Sequence, residues 1–98
     1  MYLRMIELKF QFGWYASEIR DRIESDLLPE LTSQLGFLAY YVVEADENRL
    51  ATVRVFHDFQ TMQDAMVATN TVHDAIVADF SITAEEVDSF SGEVYVSA

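Results

Sequence analysis

Cysteine is absent from this chain. That excludes disulfides, thiol catalysis and thiolate zinc sites. Proline occurs once, at Pro29, and glycine three times, at Gly13, Gly36 and Gly92. The three glycines are scattered, so there is no glycine-rich phosphate loop. There is no Gly-x-Ser-x-Gly elbow and no His-Glu-x-x-His either. Positive charge is scarce. Six bases stand against 17 acids, for a net charge of −11, and Lys9 is the single lysine. Phosphate binding needs clustered Lys and Arg, so nucleic acid is not an expected partner. No apolar run approaches the ~20 residues of a membrane span, so no membrane partner is expected. Met1-Tyr2-Leu3-Arg4-Met5 leads straight into strand alternation, with no leader-like segment, and the expected location is cytoplasmic. An acidic, lysine-poor surface suits high salt. A GC-rich genome favours the same residues, and composition does not separate the two.

What is present is core-forming material. The chain is 51% hydrophobic and 13% aromatic, which excludes disorder. Ninety-eight residues suffice for one modest core, and residues 1–98 are expected to form one domain.

Hydrophobic periodicity gives the elements. From Tyr2 to Phe12 the period is two, with Ile6, Leu8, Phe10 and Phe12 on one face and Met5, Glu7, Lys9 and Gln11 on the other. From Tyr15 to Gln34 an apolar residue recurs every fourth position: Tyr15, Ile19, Ile23, Leu27, Leu31 and Leu35. This predicts a helix with one buried stripe, bent or broken at Pro29 and stopped by Gly36. A hairpin follows, with strands over residues 36–43 and 50–56 and a polar turn at residues 44–48. Thr61-Met62-Gln63-Asp64 resembles a capping box and predicts a second helix from Thr61 to Asp79. Its inner stripe is Met62, Ala65, Met66, Thr69, Val72, His73, Ile76 and Phe80. Thr83-Ala84-Glu85-Glu86 predicts a short helical turn before a last strand from Asp88 to Val96, with Phe90, Val94 and Val96 on one face. The order strand, helix, strand, strand, helix, strand predicts an α+β, ferredoxin-like βαββαβ fold. A four-stranded antiparallel sheet with two helices on one face leaves the other face bare.

Several segments, taken in order, resemble the antibiotic-biosynthesis-monooxygenase-like domains of the dimeric α/β-barrel superfamily. Residues 28–37, Leu28-Pro29-Glu30-Leu31 through Gly36-Phe37, resemble the family's LPxLxxQPGF run, with Leu35 in place of its proline. Tyr40-Tyr41-Val42-Val43 with its acidic turn, Val53-Arg54-Val55-Phe56-His57-Asp58, Ala68-Thr69-Asn70 and Gly92-Glu93-Val94 resemble successive later segments. The resemblance implies a homodimer in which two sheets close a barrel, with pockets between sheet and helices. It implies activities from cofactor-free quinone-forming oxygenation to haem degradation and small-molecule isomerisation. Haem degradation is disfavoured. The positions matching that subgroup's helix-2 histidine and tryptophan fall near Val77 and Val67, and Gln11 is the nearest strand-1 amide. Quinone-forming members use Asn, Trp, Tyr and Arg, matched here by residue type in Asn70, Trp14, Tyr40 and Arg54.

The candidate catalytic residues are therefore His73, as proton acceptor, and Asn70, as donor to a substrate oxygen. They are three apart on one helix and share a face. The opposing reading makes both a helix shoulder that reaches water. Trp14, Tyr40, Arg54 and Met66 are the candidate substrate-binding residues. Glu7, Lys9 and Arg54 are expected on the bare sheet face, as an anion-binding barrel interior or as ion pairs between subunits. His57 and Asp58 read as a proton-transfer pair at the pocket mouth or, with more weight, as a helix cap. His57, Asp58, His73 and Asp74 lack the convergence a metal site needs. The resemblance implies a cofactor-independent monooxygenase-like protein that acts on a hydrophobic small molecule, with no metal or organic cofactor. The alternative is a non-catalytic ligand-binding or dimerisation module.

Overall fold

In the computed structural model, residues 1–10, 16–46, 49–80 and 82–95 are described. Strand β1 (Tyr2–Lys9) leads to a helical arm of three pieces: α1 (Ala16–Arg22), a π-helical turn (Ile23–Leu27) and α2 (Leu28–Thr32). Then come β2 (Phe37–Asp46), β3 (Arg49–Phe56), α3 (Phe59–Asp79) and β4 (Thr83–Glu93). The sheet order is β2-β3-β1-β4, and the described pairings are antiparallel. This is the ferredoxin-like arrangement that the sequence predicts.

The helical arm shows why a strict four-residue repeat works here. On a regular α-helix such a row drifts by about 40° per step. A π-turn holds more residues per turn and takes that drift out. Ile19, Ile23, Leu27 and Leu31 are accordingly all buried. The π-turn also resolves Pro29. The Leu28 N–H reaches back to the Ile23 carbonyl, and Pro29 then opens α2, where no N–H is needed. The arm is widened at that point rather than broken. Leu35 does not extend the stripe, being 86% exposed, because the helix has ended at Thr32. Gly36 turns the chain with φ of 82°, and a Cβ there would lie 2.6 Å from the Thr61 side chain. Both facts require glycine. Tyr15, Phe12, Gln11 and Gly13 lie outside the described residues.

Three other expectations change. The cap of α3 is Asp58, not Thr61. Asp58 Oδ1 accepts from the Thr61 N–H at 2.8 Å, and the Thr61 hydroxyl accepts from the Asp58 N–H at 3.3 Å. That bond to the Thr61 N–H holds the Asp58 carboxyl below its ordinary range. The helical turn expected at residues 83–86 is strand, with Thr83, Ala84 and Glu85 paired to Lys9, Leu8 and Glu7. Pairing satisfies the free edge of β1, and backbone demand outweighs a local capping pattern. The hairpin strands run further than expected, with Glu44 opposite Leu50 and Asp46 opposite Arg49, so Glu47 and Asn48 fall outside the described residues. The side chain of Phe90 and all of Val96 also lie outside the description.

The core sits between sheet and helices. Ile6, Leu8 and Phe10 meet Leu50 and Phe56, the helical arm, and Met62, Ala65 and Ile76 of α3. The opposite sheet face carries three cross-strand rows: Leu3–Val55–Ala39, Met5–Val53–Tyr41 and Glu7–Ala51–Val43. Tyr41 is 58% exposed there and Val43 51%. Arg49 pairs with Glu7 at 2.8 Å.

Candidate functional site

Strand parity decides what faces the helices. Leu50, Thr52, Arg54 and Phe56 alternate on the inner side of β3, and all four are buried. Arg54 therefore does not share the bare face with Glu7, as the sequence reading had it. It lies under the helices, 4% exposed. Its in-register neighbours are Arg4 on β1 and Tyr40 on β2. The pairing slips between Phe37 and Ala39, which lets Phe37 and Tyr40 both turn inward to pack on the core. The guanidinium carbon of Arg54 lies 5.8 Å from the centre of the Tyr40 ring, within cation–π range.

A cavity opens beside this pair. It is lined by Tyr40, Thr52, Arg54 and His73 among the apolar side chains of Leu8, Ile23, Leu27, Ile76, Val77 and Ile82. The space open to the centre of a water molecule is about 10 Å³. That is room for about one water.

Each titratable group at the cavity is shifted. Burial pulls the His73 imidazole below its ordinary value of 6.5, Arg54 and Arg4 add to that, and the neighbouring Asp74 opposes it. His73 is thus neutral at pH 7 and able to accept a proton. Asp74 Oδ1 stands 3.6 Å from His73 Nδ1, too far for a hydrogen bond. Burial pushes the Tyr40 phenol up, against the pull of Arg54 and Thr52, so Tyr40 stays protonated and can donate. Burial pulls Arg54 below the usual arginine range, Tyr40 opposes it and Arg4 reinforces it. An arginine stays charged through such a shift.

The structure thus brings together Tyr40, Arg54 and His73 from β2, β3 and α3. It does not bring Asn70 with them. Asn70 is exposed, one helical step past buried Thr69, and it does not line the cavity. Met66 is half-buried against the core but also off the cavity. Trp14 lies outside the described residues. His57 is exposed and Asp58 is the α3 cap, so the capping reading of that pair holds. Among the described residues no cluster of three His, Cys, Asp or Glu could hold a metal ion. Sequence reasoning missed Thr52 and Arg4. Parity was the available signal, since Arg4 is in step with Ile6 and Leu8, and Thr52 with Leu50 and Phe56.

No family model and no curated protein matches the chain. Solved structures do. A candidate antibiotic biosynthesis monooxygenase from Deinococcus radiodurans superposes with a TM-score of 0.78 at 14% identity, over 100% of this chain and 96% of that one. SnoaB, a cofactor-independent oxygenase from Streptomyces nogalater, gives 0.74 at 12% identity, over 98% and 95%. A dimeric ferredoxin-like protein from an uncultured marine organism gives 0.78 at 12% identity, over 100% and 98%. At these identities the likeness is one of fold, and the fold is shared over the full length of the chain.

Proposed function

We propose that this chain is a small monooxygenase-like protein that needs no metal or organic cofactor and acts, as a cytoplasmic homodimer, on a hydrophobic small molecule. One observation carries the reading. The imidazole of His73, the buried guanidinium of Arg54 and the phenol of Tyr40 converge, with Thr52, on one mostly apolar cavity between sheet and helices, where burial disfavours the charged forms of the imidazole and the phenol. The fold shared with a cofactor-independent oxygenase supports it.

The chemistry suited to this set starts from an electron-rich phenol. His73 accepts the phenolic proton, and Tyr40 donates to the oxygen that becomes negative. Electron density moves to the ring carbon opposite, which bonds to dioxygen as a hydroperoxide. Loss of water then leaves a quinone, so one phenol and one O2 give one quinone and one H2O. The apolar walls keep bulk water from the reactive carbon. A ring is larger than the present space, so its entry requires the packing of α3 on the sheet to open.

That narrow cavity, and the exposure of Asn70, favour a second reading: a non-catalytic ligand-binding or dimerisation module. Oxygen uptake with a dihydroxynaphthalene probe separates the two. The proposal expects uptake with quinone formation, lowered at least tenfold in His73→Gln. Uptake no faster than the protein-free background, across a panel of phenols, establishes the second reading instead.

A further inference from the structure

The geometry points to an anion site at this cavity, with Arg54 as the seat for a carboxylate borne by the ligand. The inference rests on the reading of the cavity as a ligand site and adds the chemical class of what enters.

Arg4, Arg54 and Tyr40 form one row across β1, β3 and β2 on the helix-covered face. Among the described residues, no ion pair involves Arg4 or Arg54. Arg54 is nine-tenths buried and lines the cavity. The Nε of Arg4 is buried and has no hydrogen-bond partner. Like charges directly opposite on a sheet repel, and desolvation adds to the cost. A fold that tolerates this pair without a carboxylate partner among the described residues leaves a place for an anion from outside.

The shape of the site selects the anion. The ring of Tyr40 engages the guanidinium of Arg54 by cation–π attraction. The N–H fork of a guanidinium matches the two oxygens of a carboxylate. A carboxylate brings a single charge to the guanidinium that lines the cavity, and its apolar body, larger than the present space, enters as the packing of α3 on the sheet opens. Leu8, Ile23, Leu27 and Ile76 supply apolar walls for an uncharged body. The ligand is thus an organic carboxylate with an apolar remainder.

Benzoate is the probe, with benzyl alcohol as its neutral counterpart and chloride for ionic strength. Thermal melts and the NMR titration of the His73 ring are the readouts. The charged groups facing that ring are Arg54 and Arg4 from the sheet and Asp74 on its own helix, with Tyr40 neutral. Benzoate should raise the melting temperature and move the His73 titration upward by roughly half a unit or more, because it screens Arg54. Benzyl alcohol and chloride should do neither. Arg54→Met should abolish both effects. Arg54→Lys keeps the charge without the fork and should weaken binding about tenfold, which serves if the Met variant does not fold. Equal responses to benzoate, benzyl alcohol and chloride, or an undiminished response in the Arg54 variants, overturn the inference. No step involves oxygen. Carboxylate binding without oxygen uptake therefore defeats only the oxygenase reading, and uptake with neutral phenols but no benzoate response defeats only this one.

Discussion

Arg4 and Arg54 stand directly opposite each other on β1 and β3, on the side of the sheet that the helices cover. A folding core gains nothing from such a pair, since each guanidinium loses water and neither has an ion-pair partner among the described residues. Arg54→Met keeps most of the volume and removes the charge. It should leave stability unchanged or raise it by about 1–3 kcal/mol, as seen when buried ionic groups give way to apolar ones. Urea melts check this. A loss above about 1 kcal/mol would mean that Arg54 holds the fold together rather than serving a ligand.

Leu31 is completely buried near the end of the helical arm. Leu31→Ala should cost ~2–5 kcal/mol through lost transfer energy and the cavity left behind. A cost under ~0.5 kcal/mol, the range of ordinary surface changes, would show that the arm does not pack as described.

His73 should make stability depend on pH in a defined direction. Its native pKa lies below the ordinary 6.5, so between those two values the unfolded chain binds more protons than the folded one. Stability should be flat above about pH 6.5 with respect to this group and fall as pH drops through the window beneath it. Asp26 and Asp58, held below 3.8 by Arg22 and Thr61 respectively, lose their contributions only at more acidic pH. Urea midpoints from pH 5 to 8 should slope less in His73→Gln than in the parent. Identical slopes would place the imidazole in water.

The bare sheet face, with Tyr41 and Val43 each more than half exposed and Val53 and Val55 beside them, is too apolar to stay wet without cost. Light scattering at micromolar concentration should return about twice the 11.2 kDa chain mass. A single-chain mass across that range would remove the homodimer from the proposal.

The sequence by itself determined the order of the four strands and two helical segments, the buried stripe of the first segment from Ile19 to Leu31, the stripe of α3, and the inner face of β1 at Ile6 and Leu8. These are local properties, because a period of two or of about four marks a face before any partner is known. It also marked His73, Tyr40 and Arg54 as unusual. It did not determine that the three meet. Arg54 changed faces because β3 alternates from Leu50, and its closeness to Arg4 exists only through the register between β1 and β3. Asn70 looked equivalent to His73 at three residues' spacing, yet the helix docks through Thr69 and Ile76, and that rotation carries Asn70 into solvent. Residues 83–86 read as helix until the open edge of β1 demanded a strand. Local pattern set what each segment could be. Docking angle, strand register and unmet backbone hydrogen bonds are long-range quantities, and they alone decided which polar groups came to share one buried space.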